Sequence, residues 1–433
     1  MSLLRNAGLL ECFHISRALF GLDSCVVVSA RYVHESGSQL KLTREILFPA
    51  LGATVRAHPI LSARVKDEDS KQPYFVRLDS VDLASVVRFL DTADLEVAIQ
   101  AQLSAPFDTS AELPLWRVTV LSDNTVLFAY HHGIGDGLSG VAFHHSLYAA
   151  LQAPDLSPTE VVVPDDLPVV PAIDVALDVR PSLLTIIRTV ISLFIPDSWR
   201  TAYTAWTANP VPADPELSPR VKIFVLPPSE MAGFSKVCRA NCATVTSAFY
   251  ILAVAILSRH IPPESTYKTI GAAVAMSLRG LTDTPAGAIC DYATGQSTFP
   301  PVDPAFKWSR AAEYAKDLQA ARVSGKERIG LLALLRGDLQ PYFRAQLGKK
   351  RTAAFELSNT GRVKFEGQGT WQVADVTFAQ CDLIYGAALK VNVVGDPTGA
   401  VRIALTWNED AIDEGLVETF AREFQDGVRA LLP

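Results

Sequence analysis

Residues 125–130, Thr-Val-Leu-Phe-Ala-Tyr, are apolar on both faces of an extended chain, which marks a strand buried at the centre of a sheet. The run before it, 113–121, also reads as a strand, and Ser122-Asp123-Asn124 between them is turn chemistry, so the two form a hairpin. The fold must wrap around this hairpin. At its exit stands His131-His132-Gly133-Ile134-Gly135-Asp136-Gly137, ahead of a helix that begins near Ser139 and runs through 141–151. Two imidazoles and a carboxylate among glycines place a base that works near neutral pH where the backbone is able to turn.

The rest of the chain mixes helical and strand patterns. Residues 3–19 read as helical or irregular, 25–33 as a β-branched strand, and 40–57 as a helix that Pro49 kinks or breaks. His58-Pro59 stops that helix, because the residue before a proline is pushed out of the helical region. Short strands at 61–65 and 74–78 and a helix at 94–103 complete the first part. Prolines crowd 154–181 and 210–228 around a helical 182–206, which makes a long crossover. Beyond it come a strand at 220–226, helices at 229–240 and 244–258, a strand at 270–278 ending on Arg279, and a helix at 308–324. Strands at 353–357, 373–378, 384–394 and 401–407 and an amphipathic helix at 413–431 follow. The result is an α/β (α+β) chain divided at 1–175, 176–219 and 220–433.

Composition excludes several classes. The net charge of −7 over 433 residues comes without a polybasic run, so nucleic acid is a poor partner. The six cysteines are scattered, with neither a disulfide framework nor zinc spacing; they read as buried free thiols in a reducing, cytoplasmic setting. The first residues lack the apolar core of a secretory signal. The apolar runs 182–195 and 245–258 are shorter than the ~20 residues a transmembrane helix needs. Both read as core helices, the first in preference to an exposed amphipathic helix on a membrane surface.

Three other readings of the histidine motif weaken on inspection. Gly135 to Gly140 fits G-x-G-x-x-G, with Asp155 or Asp165 downstream, but that fingerprint belongs in a parallel strand–helix–strand unit and this strand belongs to a hairpin. His131, His132 and Asp136, with His144-His145 nearby, offer metal ligands, yet neighbouring residues on a strand face opposite ways and no H-E-x-x-H is present. No G-x-S-x-G elbow marks a serine nucleophile. A histidine without an adjacent nucleophile suits proton removal from a hydroxyl or amine, which then attacks an activated acyl group. Such a base contributes about 10²–10⁴ in rate. Bringing two substrates together favours a tunnel between two domains.

The segment 131–137 resembles the HHxxxDG motif of the superfamily of CoA-dependent acyltransferases and condensation domains. Leu10-Glu11 and Arg17, His58-Pro59-Ile60-Leu61, Leu113-Pro114-Leu115-Trp116, Ser358-Asn359-Thr360-Gly361 and Trp407-Asn408-Glu409 resemble, in order, elements of its alcohol acetyltransferase branch. The DFGWG signature of the plant branch is absent. The resemblance implies two chloramphenicol-acetyltransferase-like lobes of mixed sheets and flanking helices, with an active-site tunnel between them. It implies transfer of an acyl group, most simply acetyl, from acyl-CoA to a hydroxyl of a small hydrophobic acceptor of the secondary-metabolite kind. No covalent acyl-enzyme, metal or permanently bound cofactor is implied, and the chain is expected to be a monomer. The alternative on the same fold is a donor borne by a carrier protein, for condensation or cyclisation. By position His132 is the general base, with His131 packed behind it. Chemistry alone would have Asp136 orient the imidazole; the family implies that it turns away to an arginine, for which Arg279 is the candidate. Gly137 lets the loop turn and brings backbone N–H groups near the site. Asn359, and less so Ser358, line the tunnel or hold the oxyanion, with a plain structural turn as the other reading.

Overall fold

A computed structural model describes residues 2–37, 40–153, 157–196, 199, 201–367, 369–381 and 384–432. In chain order its long strands are β1 (Val26–His34), β2 (Val87–Phe89), β3 (Trp116–Val120), β4 (Thr125–Tyr130), β5 (Pro219–Leu226), β6 (Ala272–Ser277), β7 (Ala293–Thr298), β8 (Ala353–Arg362), β9 (Trp371–Gln380), β10 (Ala387–Gly395) and β11 (Val401–Asn408). The main helices are α1 (Leu9–Leu19), α2 (Arg44–Ala57), α3 (Leu95–Leu103), α4 (Gly137–Leu151), α5 (Leu183–Phe194), α6 (Pro228–Ala240), α7 (Val245–Arg259), α8 (Trp308–Ser324) and α9 (Glu414–Ala430).

The strands build two mixed sheets, a five-stranded one in the order β9-β1-β4-β3-β2 and a six-stranded one in the order β5-β11-β10-β8-β6-β7. As the pattern predicts, β4 lies between antiparallel β1 and β3 with every residue buried. Its ladders are antiparallel on both sides, which removes the dinucleotide-binding reading of 135–140. Of the two acids weighed for that reading, Asp155 lies outside the described residues.

The lobes meet through strands. One face of β1 and β4 offers Val27, Leu127 and Ala129 to Val221 of β5 and Ala404 of β11 in a shared apolar cluster. Strand β9 comes from the second half of the chain but pairs along β1, from Trp371 opposite His34 to Gln380 opposite Val26. The opposite face of the first sheet packs Val28, Phe128 and Tyr130 against Phe143 of α4, with the Phe128 and Phe143 rings stacked 3.7 Å apart. Gly140 lets that helix sit on the sheet, because a Cβ there would lie 2.2 Å from Val28. In the second lobe α7 is the buried helix that its composition predicts.

Several expectations need correction. Helix α5 is not a core helix. Leu183, Leu184, Ile187, Val190, Ile191 and Phe194 form an apolar stripe that faces solvent, while Thr185 turns inward to Glu327. Helical periodicity alone cannot say which face a helix shows to the protein. Ser2–Asn6 is a strand paired with Tyr74–Arg77, where a helical or irregular start was expected, and β7 had no clear strand pattern. Pro49 lies inside α2, which runs on past it. Cys242 is exposed, unlike the buried thiols expected of all six cysteines. Among the described residues no single helix is long and apolar enough to cross a membrane.

Three histidines of the first lobe are held neutral, His131 and His144 fully buried and His58 half-buried. His144 donates from Nε2 to Val28 O at 3.0 Å and accepts from the Tyr32 hydroxyl at Nδ1. His58 shares a 2.6 Å hydrogen bond with Ser146. His131 accepts the Gly133 N–H at Nδ1. Burial drives His58 and His144 down to about 4 and His131 to about 3. The unfolded chain binds these protons near pH 6.5, so their stabilising contribution is complete above that value and is lost as pH falls toward the folded values. Together the three give at most roughly 4 kcal/mol per pH unit. Urea unfolding midpoints should therefore drop steeply between about pH 6.5 and about pH 4.5; equal midpoints at pH 7 and pH 5 would contradict this burial.

Candidate active site

The motif leaves β4 at Tyr130 and turns at once. His131 N–H donates to Leu115 O at 2.9 Å, which ties the turn to the hairpin. His132 to Ile134 form a single 3₁₀ turn capped by the His131 ring. This turn, rather than strand alternation, separates the two imidazoles. His131 goes into the core beside Phe107, and His132 keeps 13% of its side chain exposed.

Asp136 then caps α4, accepting from Ser139 N–H at 3.1 Å. The same carboxylate receives Arg279 Nη2 at 2.7 Å and Tyr292 N–H at 3.2 Å. Arg279 also donates to Ala288 O at 2.6 Å and Cys290 O at 2.8 Å, so one buried guanidinium locks the motif to the loop after β6. The expected Asp136–Arg279 pair is thus present, and none of the carboxylate contacts of Asp136 is His132. Gly137 is needed for a close approach: a Cβ there would meet Phe378 of β9 at 2.9 Å and Thr360 of β8 at 3.2 Å.

A cleft of about 340 Å³ opens between the lobes at this point. The motif supplies Asp136, Gly137 and Leu138 to one wall, and Thr246, Ser358 and Asn359 stand on the other. Asn359 Nδ2 donates to Thr246 Oγ1 at 3.0 Å, and its Oδ1 accepts Gly361 N–H at 2.8 Å. Its amide therefore holds the end of β8 against the start of α7 as well as lining the cleft.

Two residues that the sequence reading passed over complete the site. His14 of α1 stacks on His132, rings parallel within 5° and 3.8 Å apart. Asp291, wholly buried, places Oδ2 3.2 Å from His14 Nε2 and 3.9 Å from His132 Nδ1. Burial pushes the Asp291 carboxyl well above the ordinary range, helped by the charges of Asp136 and Glu11. Burial also keeps His14 well below an ordinary histidine. Signals for both were available: His14 and Arg17 share a helix face at i, i+3, and Asp291 is an acid inside the apolar run Ala288-Ile289-Cys290-Asp291-Tyr292-Ala293.

The ligand atoms of His14, His132 and Asp291 lie within 4.8 Å of one another. A shared metal fits them poorly. Stacked rings aim their in-plane lone pairs side by side, so one ion cannot sit in both ring planes at the ~2 Å that imidazole ligands require. Nucleophilic thiols are also disfavoured here, because burial raises Cys290 and pushes Cys12 to about 12. What remains is a partly exposed imidazole, flanked by a buried acid, on the motif turn whose next residues, Asp136, Gly137 and Leu138, line the cleft. That arrangement is able to take a proton from a substrate.

Comparison with known proteins agrees with this geometry. The family model described as alcohol acetyltransferase matches residues 6–279 and 289–424. A protein of Aspergillus fumigatus named "Probable alcohol acetyltransferase crmB" is 27% identical over 420 residues, covering 86% of this chain and 88% of that protein. Among solved structures, a trichothecene 15-O-acetyltransferase from Fusarium sporotrichioides has the same fold, with a TM-score of 0.74 at 13% identity over 99% of this chain and 95% of that one. The condensation domain of the monacolin K polyketide synthase MokA superposes with a TM-score of 0.67 at 13% identity, over 99% and 98% of the two chains. These two likenesses establish the two-lobed acyltransferase and condensation-domain fold. With the family model spanning nearly its whole length, the chain belongs to the alcohol acetyltransferase family and is an enzyme of acyl transfer to a hydroxyl.

Proposed function

We propose that the enzyme transfers an acetyl group from acetyl-CoA directly to the hydroxyl of a small hydrophobic alcohol, with His132 as general base. The observation that carries this reading is the placement of His132. It is the partly exposed imidazole at the exit of the central strand, on the motif whose residues 136–138 line the cleft where the two lobes meet. The acceptor O–H bond breaks and its proton passes to His132. The oxygen bonds to the thioester carbonyl carbon, the C–S bond breaks, and the thiolate leaves with the proton returned by the imidazolium. Asp136 serves the loop, through Arg279, and His131 packs behind the base. Ser358 and Asn359 form the facing wall, where donors would meet the developing oxyanion.

The acceptor class follows from the relatives, whose names point to alcohols and to a hydroxylated fungal metabolite. Thiol release from acetyl-CoA on mixing with a panel of alcohols tests the reading. It should depend on both substrates and should rise with alcohol hydrophobicity. Ester formation without any dependence on a CoA thioester would replace the proposal with a donor delivered by a carrier protein.

A further inference from the structure

A buried polar chain runs from Asp23, just after α1, to the back of His132. Asp23 Oδ2 accepts from Arg17 Nε at 3.0 Å, and Arg17 Nη2 reaches His14 Nδ1 at 2.9 Å. His14 Nε2 lies 3.2 Å from Asp291 Oδ2, and the same oxygen lies 3.9 Å from His132 Nδ1. Arginine is always a donor, so His14 must accept at Nδ1 and carry its proton on Nε2, facing Asp291. Asp291 therefore has to be the acceptor of this chain. Beyond the Ala293 backbone N–H, neither of its oxygens has a hydrogen-bond partner of good geometry among the described residues. A buried carboxylate left in this state is costly, which points to a use elsewhere in the reaction.

We infer that Asp291, held by His14 and Arg17, is the residue that positions the general base, accepting from His132 Nδ1 so that Nε2 receives the substrate proton. Asp136 has no part in this, being committed to Arg279, Ser139 and Tyr292. The His14 ring, stacked on His132, fixes the plane of the base while its edge fixes the acid. The 3.9 Å gap is one that closes as His132 becomes imidazolium and the attraction to the carboxylate grows. The inference rests on His132 being the base.

The charged and titratable groups facing this cluster are Arg17, Glu11, Asp136, His131, Lys390, Tyr130 and Cys290. Burial raises Asp291, so it takes up its proton at higher pH than an ordinary aspartate and loses its acceptor role as it does so. Replacing it by Asn removes that titration and also the negative charge that favours the imidazolium. Both changes move the acid limb of kcat/KM to lower pH. The native state is also relieved of a carboxylate whose raised value makes it destabilising above its folded pKa.

Asp291→Asn should lower kcat at least ~10-fold with KM for acetyl-CoA within ~3-fold, and shift the acid limb downward. Its urea midpoint at pH 8 should equal or exceed that of the wild type, an outcome that a purely structural acid would not give. His14→Phe, which keeps the stacked ring and loses Nε2, should also lower kcat at unchanged KM, and it decides the matter if Asp291→Asn does not fold. Wild-type kcat and an unmoved acid limb in either folded variant, while His132→Ala is inactive, would overturn the inference alone. Turnover by His132→Ala would instead overturn the base assignment beneath it.

Discussion

His132→Ala is expected to lose about 10²–10⁴ of its transfer rate while keeping its fold, since a positioned base contributes a factor of this size. The stability change should be small. The side chain is partly exposed and stacks on His14. The companion variant His131→Ala should behave the other way round. It removes a fully buried ring that caps the motif turn, so it should cost stability and lower activity only through the displaced loop. Steady-state rates of alcohol-dependent thiol release, with circular dichroism on each protein, separate the two. Near-full turnover by a folded His132→Ala would end the assignment of this residue as the base.

The second large effect concerns stability. Arg279→Ala should cost about 3–5 kcal/mol, because it strands the buried Asp136 carboxylate and removes donors from Ala288 O and Cys290 O. Asp136→Ala should cost a similar amount, since it leaves the guanidinium unpaired and uncaps α4. The double variant should be less destabilised than the sum of the singles, because no charge then remains buried alone. Urea denaturation of the three variants measures this coupling. Activity should fall with stability across the series. A stable, well-folded but inactive Asp136→Ala would show that this acid acts on the base after all.

Much of this was legible in the chain. The apolar 125–130 with turn residues before it placed β4 at the centre of its sheet, and the motif at its exit followed. The partner of Asp136 was found as a basic residue ending a second-lobe strand. What could not be read was what long-range pairing decides. His14 and Asp291 are 277 positions apart and meet only because α1 and the segment before β7 converge on the motif turn. Nothing local to 371–380 says that β9 joins the first sheet, since its alternation suits either. The outward stripe of α5 was missed for a related reason: its period was right, but the sequence does not state which side the protein occupies. In the site itself, chemistry alone gave Asp136 the task of orienting the imidazole, and the family resemblance gave it the arginine instead. The structure divides the acids, one bonded to arginine and one facing the imidazoles.

The central claim is direct transfer assisted by a base, with no acyl group resting on the protein. Intact-protein mass measured after mixing the enzyme with acetyl-CoA, first without alcohol and then with it, tests this most directly. The account predicts an unmodified protein mass in both cases, and ester together with free thiol only in the second. An acetylated protein that forms without alcohol and is discharged when alcohol is added would contradict it.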